Sequence, residues 1–283
     1  MIRQAIIPLA GLGTRLLPLT SVFAKELLPI NGRPGIEYII DECIDAGIKE
    51  IVFIISNKKK MIKKYFYNDI FYKKIIKKKK DSRIEKEYKK ILKYKKMIKF
   101  VYQNKPLGTG DAVLKTKKYI NDKYFLMLLP DDLIIKKNCS KSMISLHKRH
   151  KCSVMASMKV KKKTVSRWGI YKLEKKIDKN NFIINDVIEK PSVNDAPSNN
   201  AVIGRYILPK KIYNTLLNTE PGKGGELHIT DAIRHLINKN EKFIAHNFSG
   251  KYLDCGSMQG YINSSVEISK KWSFAWLEPD MLV

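Results

Sequence analysis

Apolar positions along the chain follow two patterns. Apolar runs at 5–9, at 48–55, where β-branched residues dominate and only Lys49-Glu50 interrupt, and at 124–129 predict buried strands. Between the first two runs, Ile36, Ile39, Ile40, Cys43 and Ile44 recur at helical spacing over 34–46, and Gly47 stands where that helix would stop. Strand, glycine loop, helix and strand in that order open a βαβ unit. The pattern predicts an α/β fold: a Rossmann-like mixed, mostly parallel sheet flanked by helices on both faces.

The same reading continues with strands at 98–103 and 153–160 and helices at 108–119 and 142–150. Shorter strands follow at 169–173, 182–189 and 202–208, then a helix at 230–238, a strand at 243–248, a turn around Tyr252 and a terminal helix. Pro197 within 194–200 marks the best loop candidate. No internal repeat or linker interrupts the series, so residues 1–283 are read as a single domain. It carries a Lys-rich, helical insert at about 58–99 and a C-terminal helical tail from about 257.

Charge changes this picture little. The net charge is +28, and the segment 58–99 holds 19 Lys and Arg against 4 Asp and Glu, a net of +15. Over half of the excess therefore sits in one stretch, nearly all of it Lys, which lacks the bidentate fork that Arg offers to phosphate. A solvated surface is favoured over a polyanion-binding one, and no nucleic-acid partner is expected. Cys43, Cys139, Cys152 and Cys255 lie far apart with no C-x-x-C pair, which argues for small buried thiols. The N-terminus has no basic stretch leading into a long apolar one, and no run approaches membrane-spanning length. A cytoplasmic protein without a membrane partner is the expectation.

Candidate chemistry begins after the first strand. Gly11-Leu12-Gly13-Thr14-Arg15 could bring a nucleotide phosphate against bare backbone N–H groups. It is not a dinucleotide fingerprint, because position 16 is Leu and the second strand ends in Ser56-Asn57-Lys58 without an acid. Nor is it a P-loop, since Gly-Lys-Ser/Thr is absent. Arg15 and then Lys25, in Lys25-Glu26-Leu27-Leu28-Pro29, are cations able to neutralise a leaving pyrophosphate. Asp131 and Asp132 follow a buried strand at the edge where open α/β sheets bind ligands.

These blocks together resemble the sugar nucleotidyltransferases. Ala10-Gly11-Leu12-Gly13-Thr14-Arg15 is similar to the form carried by the bacterial UTP–glucose-1-phosphate uridylyltransferases of that family. The resemblance runs in order over nearly the whole chain, through Gln103 to Ala112, Leu129 to Asp132, Trp168-Gly169, Glu189-Lys190-Pro191, Ala201 to Tyr206, Gly225 to Ala232 and Leu253 to Gly256. The chain departs from the family pattern at Ser21, Ala24, Thr109, Asp111 and His228, and Gly35 in the first helix is also unusual.

The resemblance implies uridylyl transfer from UTP to glucose 1-phosphate, by in-line attack on the α-phosphorus with pyrophosphate leaving. It implies Arg15, Lys25, Asp131 and Lys190 as catalytic residues. Ala10, Gly11, Gly13, Thr14, Arg15, Lys25, Gln103 and Gly108 would hold the nucleotide; Asp132, Gly169, Glu189, Lys190, Val202 and Tyr206 would hold the sugar phosphate. Asp131 and Asp254 would hold Mg²⁺, whose preference is for hard carboxylate oxygens. Glu226 and Asp231 are read as orienting the helix that follows them. The family also implies a homodimer or homotetramer. Two alternatives stay open at this point: a related transferase using dTTP or another sugar 1-phosphate, and a non-catalytic nucleotide-sugar or polyanion-binding protein.

Overall fold

A computed structural model describes residues 1–270. The part of the expected helical tail beyond that, 271–283, lies outside the described residues. The chain runs β1 (Gln4–Pro8), a small hairpin of β2 (Pro29–Ile30) and β3 (Arg33–Pro34), α1 (Gly35–Asp45), β4 (Glu50–Ile55), α2 (Lys60–Tyr67), α3 (Asp69–Lys79), α4 (Ser82–Met97) and β5 (Ile98–Tyr102). It continues through α5 (Thr109–Leu114), β6 (Tyr124–Leu128), β7 (Asp132–Ile135), α6 (Cys139–His150), β8 (Ser153–Lys159), β9 (Gly169–Lys176), β10 (Asn181–Glu189) and β11 (Asn200–Pro209). Last come α7 (Ile212–Leu217), α8 (Ile229–Asn238), β12 (Phe243–Asn247), β13 (Lys251–Asp254) and α9 (Met258–Ser269).

Nine strands form the main sheet in the order β5-β4-β1-β6-β11-β8-β12-β10-β9. Its central strands alternate between two cores. In β1, Ala5 and Ile7 join one apolar cluster and Ile6 the other; in β4, Ile51, Phe53 and Ile55 oppose Val52 and Ile54. Both faces are covered, which is why these strands read as continuous apolar runs.

The expectation of a mostly parallel sheet is corrected. β5, β4, β1 and β6 are parallel neighbours, and so are β12 and β8. The pairings of β11 with β6 and β8, and of β10 with β12 and β9, are antiparallel. A contact of Ala201 with Ile170 joins β11 back to β9, so the strands β11-β8-β12-β10-β9 curl into a five-strand barrel. The fold is mixed α/β. The physical reason lies in the connections: β9 and β10 are separated only by residues 177–180, and a link that short permits only an antiparallel pair. The second half of β9 is largely exposed, whereas β1, β4 and β6 of the parallel half are buried almost throughout.

Other boundaries moved for local reasons. The Lys-rich segment is the crossover between the parallel neighbours β4 and β5 and breaks into three helices at Asn68 and at Lys80, whose φ is 52°. Asp81 then caps α4 by accepting the Arg83 N–H at 2.8 Å. Ile62, Phe66, Ile91 and Tyr94 bury the inner side of this crossover, and its lysines mostly face water. The helix expected over 108–119 ends at Leu114, and the turn expected at Tyr252 is the strand β13, paired with β7.

Beneath β6 and β11 lies a buried ion pair between distant parts of the chain. Arg205, fully buried, donates from Nε and Nη2 to the Glu42 carboxylate of α1, with its shortest contact 2.7 Å. Its Nη1 donates to the carbonyls of Leu129 and Gly204 at 3.1 and 3.2 Å. Replacing only Arg205 by Met leaves Glu42 as a buried carboxylate without its cation. Urea unfolding of Arg205→Met is expected to show a loss of about 3–5 kcal/mol, and the neutral pair Glu42→Gln/Arg205→Met a clearly smaller loss. Equal losses would show that packing, not charge, sets the cost.

Candidate active site

Because β1, β4, β5 and β6 run parallel, their carboxyl ends share one edge of the sheet. The glycine loop after β1, Gln103 after β5 and Asp131 after β6 meet there around a cleft of about 620 Å³. A smaller chamber of about 180 Å³ adjoins it, lined from the barrel side. Arg15, Asp131, Glu189 and Tyr206 line both.

Every residue expected to hold nucleotide, sugar phosphate or metal, or to act in catalysis, borders one of these chambers. Ala10, Gly11, Gly13, Thr14, Arg15 and Lys25 line the larger one, facing Gln103 and Gly108. Asp132, Gly169, Val202 and Asp254 line the smaller one. Lys190, expected on the sugar-phosphate side, borders the larger chamber next to Glu189, at the junction of the two.

Local chain geometry explains how each group arrives. Gly13 has φ 72°, and Thr20 closes the loop by donating its hydroxyl to the Gly13 carbonyl at 2.8 Å. Arg15 follows in a single 3-10 turn, with its side chain 61% exposed. Lys25 comes from another such turn and is only 14% exposed. Both reach the same oxygen, Asp131 Oδ2: Lys25 Nζ at 2.7 Å and Arg15 Nη2 at 3.4 Å. Burial works to raise the Asp131 carboxyl, but Lys25 and Arg15 outweigh it and hold it below the ordinary range. Burial likewise works to lower the Lys25 ammonium, and the Asp131 and Glu26 carboxylates raise it instead. The cation–carboxylate pair therefore stays charged.

Asp132 is held differently. Tyr252 donates its hydroxyl to Oδ1 at 2.6 Å and the Gly204 N–H donates to Oδ2 at 2.9 Å. Burial and the adjacent Asp131 charge push its carboxyl up to about 6. Gly204 is required for this approach, because a Cβ there would stand 2.5 Å from Asp132 Oδ2.

Asp254 ends β13, paired with Asp132 across the small sheet. Its Oδ1 accepts the Gly256 N–H at 2.8 Å and its Oδ2 the Ser257 hydroxyl at 3.1 Å, so the residues that lead into and cap α9 fix it. The Cys255 N–H donates to the Asp131 carbonyl at 2.7 Å and locks the two carboxylate-bearing segments together. A Cβ at Gly256 would meet Asp131 Oδ2 at 2.7 Å, Arg15 Nη2 at 2.8 Å and Asp254 Oδ1 at 3.2 Å. Both carboxylates thus face one small space that only a glycine leaves open. Two carboxylates suit a hard divalent cation that completes its shell with phosphate and water oxygens. Among the described residues no group of three or more His, Cys, Asp or Glu could hold a metal by itself.

On the far wall, Gln103 donates its amide N–H groups to the Gly108 carbonyl at 3.0 Å and to Asp111 Oδ2 at 2.8 Å. Its carbonyl oxygen is left as the acceptor for a ligand, where the sequence had suggested both a donor and an acceptor. At the junction, Glu189 accepts the Thr230 hydroxyl at 2.9 Å and lies 3.4 Å from Lys190 Nζ. Lys190 adopts φ 44°, a left-handed turn for a residue with a side chain, and its N–H donates to the Trp168 carbonyl at 3.0 Å.

Several residues of the site escaped the sequence reading. Tyr252, just outside the block Leu253 to Gly256, supports Asp132, and Arg205, inside the block Ala201 to Tyr206 but given no role there, supports Leu129; no local spacing pointed to those partners. Arg167 lines the smaller chamber. Glu226, read as orienting the next helix, lines the larger one. The first N–H of α8, on Ile229, is instead satisfied by the Thr109 hydroxyl at 3.1 Å, supplied from α5.

Comparison with known proteins shows the family to which this fold belongs. The family model described as nucleotidyl transferase matches residues 4–271. A UTP–glucose-1-phosphate uridylyltransferase of Mycoplasma pneumoniae is 37% identical over 273 residues, covering 95% of this chain and 93% of that one. A crystal structure of UDP-glucose pyrophosphorylase complexed with UDP-glucose superposes with a TM-score of 0.85 at 37% identity, covering 96% of this chain and 100% of that one. The UTP-bound enzyme from Acinetobacter baumannii gives 0.86 at 32% identity, covering 97% and 95%.

Gly108 tests how firmly the wall of the larger chamber is set. Its φ is 98°, and a Cβ would lie 2.5 Å from the Leu227 carbonyl oxygen, a backbone atom that cannot swing aside. Gly108→Ala is expected to cost at least about 1–3 kcal/mol from backbone strain alone. Thermal unfolding should show a lowered Tm; an unchanged one would mean that the loop has room to relax.

Proposed function

The chain belongs to the nucleotidyl transferase family, within it to the UTP–glucose-1-phosphate uridylyltransferases, and we propose that the paired chambers at the sheet edge are where it works. It forms UDP-glucose from UTP and glucose 1-phosphate, with release of pyrophosphate. One observation carries the assignment of the cleft: two chambers of unequal size share a wall made of Arg15, Asp131 and Glu189. A nucleotide in the larger and a sugar phosphate in the smaller would bring their phosphates together at that wall.

In this reading, residues 1–283 act as one nucleotidyltransferase domain. Ala10, Gly11, Gly13 and Thr14 offer the triphosphate a close backbone approach. Arg15, mostly exposed and only loosely tied to Asp131, turns its remaining donors to the phosphates. Lys25 stays charged beside them. The Gln103 carbonyl accepts the ring N–H of uracil, a hydrogen that the corresponding edge of cytosine lacks, and Gly108 admits the base. Asp132, Gly169, Glu189, Val202 and Tyr206 surround the glucose, and Lys190 at the junction draws the glucose 1-phosphate oxygen toward the α-phosphorus. That oxygen attacks in line, the bond to pyrophosphate breaks, and no covalent enzyme intermediate is needed.

Mg²⁺ is the implied cofactor, with Asp131 and Asp254 as the side chains that would hold it, and the gap left by Gly256 supports the fit. When bound it would neutralise charge on the phosphates. Assembly as a homodimer or homotetramer belongs to the same reading. It is supported by the general preference for symmetric oligomers and by Ile262 and Val266, which lie exposed one turn apart on α9.

A coupled assay with UTP, glucose 1-phosphate and Mg²⁺, repeated with dTTP, CTP and other sugar 1-phosphates, tests substrate choice. UTP with glucose 1-phosphate is expected to give the highest kcat/KM. Arg15→Ala and Lys190→Ala should each lower kcat by about 10²–10³ with the fold retained. A folded variant with parental turnover would remove that residue from the mechanism. Asp131→Asn should raise the Mg²⁺ concentration needed for half-maximal rate, and an unchanged titration would count against its role.

A further inference from the structure

Glu26 sits beside Lys25 in the sequence and is almost wholly buried, 3% exposed, with no bond to substrate chemistry assigned to it. Its two oxygens both accept from Lys59 Nζ, at 2.8 and 2.9 Å. Lys59 closes the single 3-10 turn after β4 and is itself 8% exposed, whereas its neighbours Lys58 and Lys60 face solvent. One lysine of a run has thus been drawn inside, across 33 residues of sequence, to meet the carboxylate next to Lys25.

We propose that Lys59 is a positioning residue for Lys25, acting through the Glu26 carboxylate. The proposal rests on the reading of Lys25 as the cation facing the triphosphate. The segment around Lys25 is a single 3-10 turn flanked by extended residues. Such a turn has few hydrogen bonds of its own and must be fastened from outside. Two ties do this from the same place: Lys59 on Glu26, and the Met61 sulfur accepting the Ala24 N–H at 3.1 Å.

Charge adds a second role to the tie. A buried ion pair often stabilises no more than an apolar pair of similar volume would, so stability alone does not account for this one. With Lys59 on both Glu26 oxygens, Lys25 is free to give its 2.7 Å contact to Asp131. Without Lys59, a buried carboxylate would be left with Lys25 as the adjacent cation, and it would draw that ammonium out of the cleft. A displacement of about 1 Å in such a group can cost about 10² in rate.

The experiment compares steady-state kinetics and Tm of the full chain with those of Lys59→Met, Glu26→Gln/Lys59→Met, Lys59→Arg and Lys25→Met. Lys59→Met is expected to lose 10–100-fold in kcat, on the order given by such displacements, at a temperature well below its Tm, with KM for glucose 1-phosphate unchanged. The double variant, which removes the unpaired carboxylate, should regain most of that loss. Parental kcat in Lys59→Met, or no recovery in the double variant, would overturn the proposal. Where Lys59→Met does not fold, Lys59→Arg keeps the charge but changes its reach. Because Glu26 still meets a cation, this variant should retain most of the parental kcat, and a loss of 10–100-fold, on the order of that expected of a displaced Lys25, would overturn the proposal. The two readings fail separately. Undiminished turnover in Lys25→Met would sink the role of Lys25 itself, while a dead Lys25→Met beside a fully active Lys59→Met would sink only the part given to Lys59.

Discussion

The site depends on one carboxylate kept ionised where burial would favour its neutral form. Asp131 stands just past the end of a strand covered on both faces, and Lys25 above all, together with the Asp131 backbone N–H and Arg15, keeps it charged there. At the neighbouring Asp132, burial and the Asp131 charge push the carboxyl up to about 6, because its donors Tyr252 and Gly204 are neutral and offset them only in part. Two adjacent carboxyls are thus held in different electrostatic states by different partners. In the proposed mechanism the first meets metal and phosphate and the second meets a sugar.

Holding Asp131 in that state requires the end of β6 to be rigid, and the support is built from the opposite side. Arg205 ties the Leu129 and Gly204 carbonyls to Glu42 of α1, and Ser140 at the start of α6 donates to the same carboxylate at 2.5 Å. The Cys255 N–H holds the Asp131 carbonyl from the α9 side. The glycines at 204 and 256 are the counterpart of these ties, since each leaves open the space that a carboxylate occupies or faces. The site owes its precision to backbone ends pinned by buried polar contacts rather than to long side chains folding inward.

Much of this was legible in the sequence because it was local. The continuous apolar runs of β1, β4 and β6 announced strands covered on both faces, and the glycine loop, Asp131 and the Glu189-Lys190 pair follow directly from strand ends. The antiparallel barrel was missed because a βαβ opening says nothing about strands that return within four residues, as β9 and β10 do over 177–180. The breaks in the Lys-rich segment were missed because Lys80 is not a residue type that signals a left-handed turn. The contacts of Arg205 with Glu42, Tyr252 with Asp132 and Thr109 with Ile229 span 163, 120 and 120 residues, and no spacing rule reaches that far.

The same distinction between local and distant bears on the net charge of +28. Composition makes every lysine alike, and the segment 58–99 is cationic enough to suggest a polyanion surface. Burial separates them. Most lysines of that crossover face water, while Lys25 and Lys59 are withdrawn and each is matched to a specific carboxylate. An exposed ammonium is screened within about 10 Å at ordinary ionic strength, so its contribution to a phosphate held in the cleft is small. A withdrawn ammonium keeps its field but must be compensated. What sets the proposed reaction's cations apart is therefore their place on the cleft, with Arg15 and Lys190 partly exposed there and Lys25 withdrawn; for the withdrawn ones, partner geometry rather than charge density locates them.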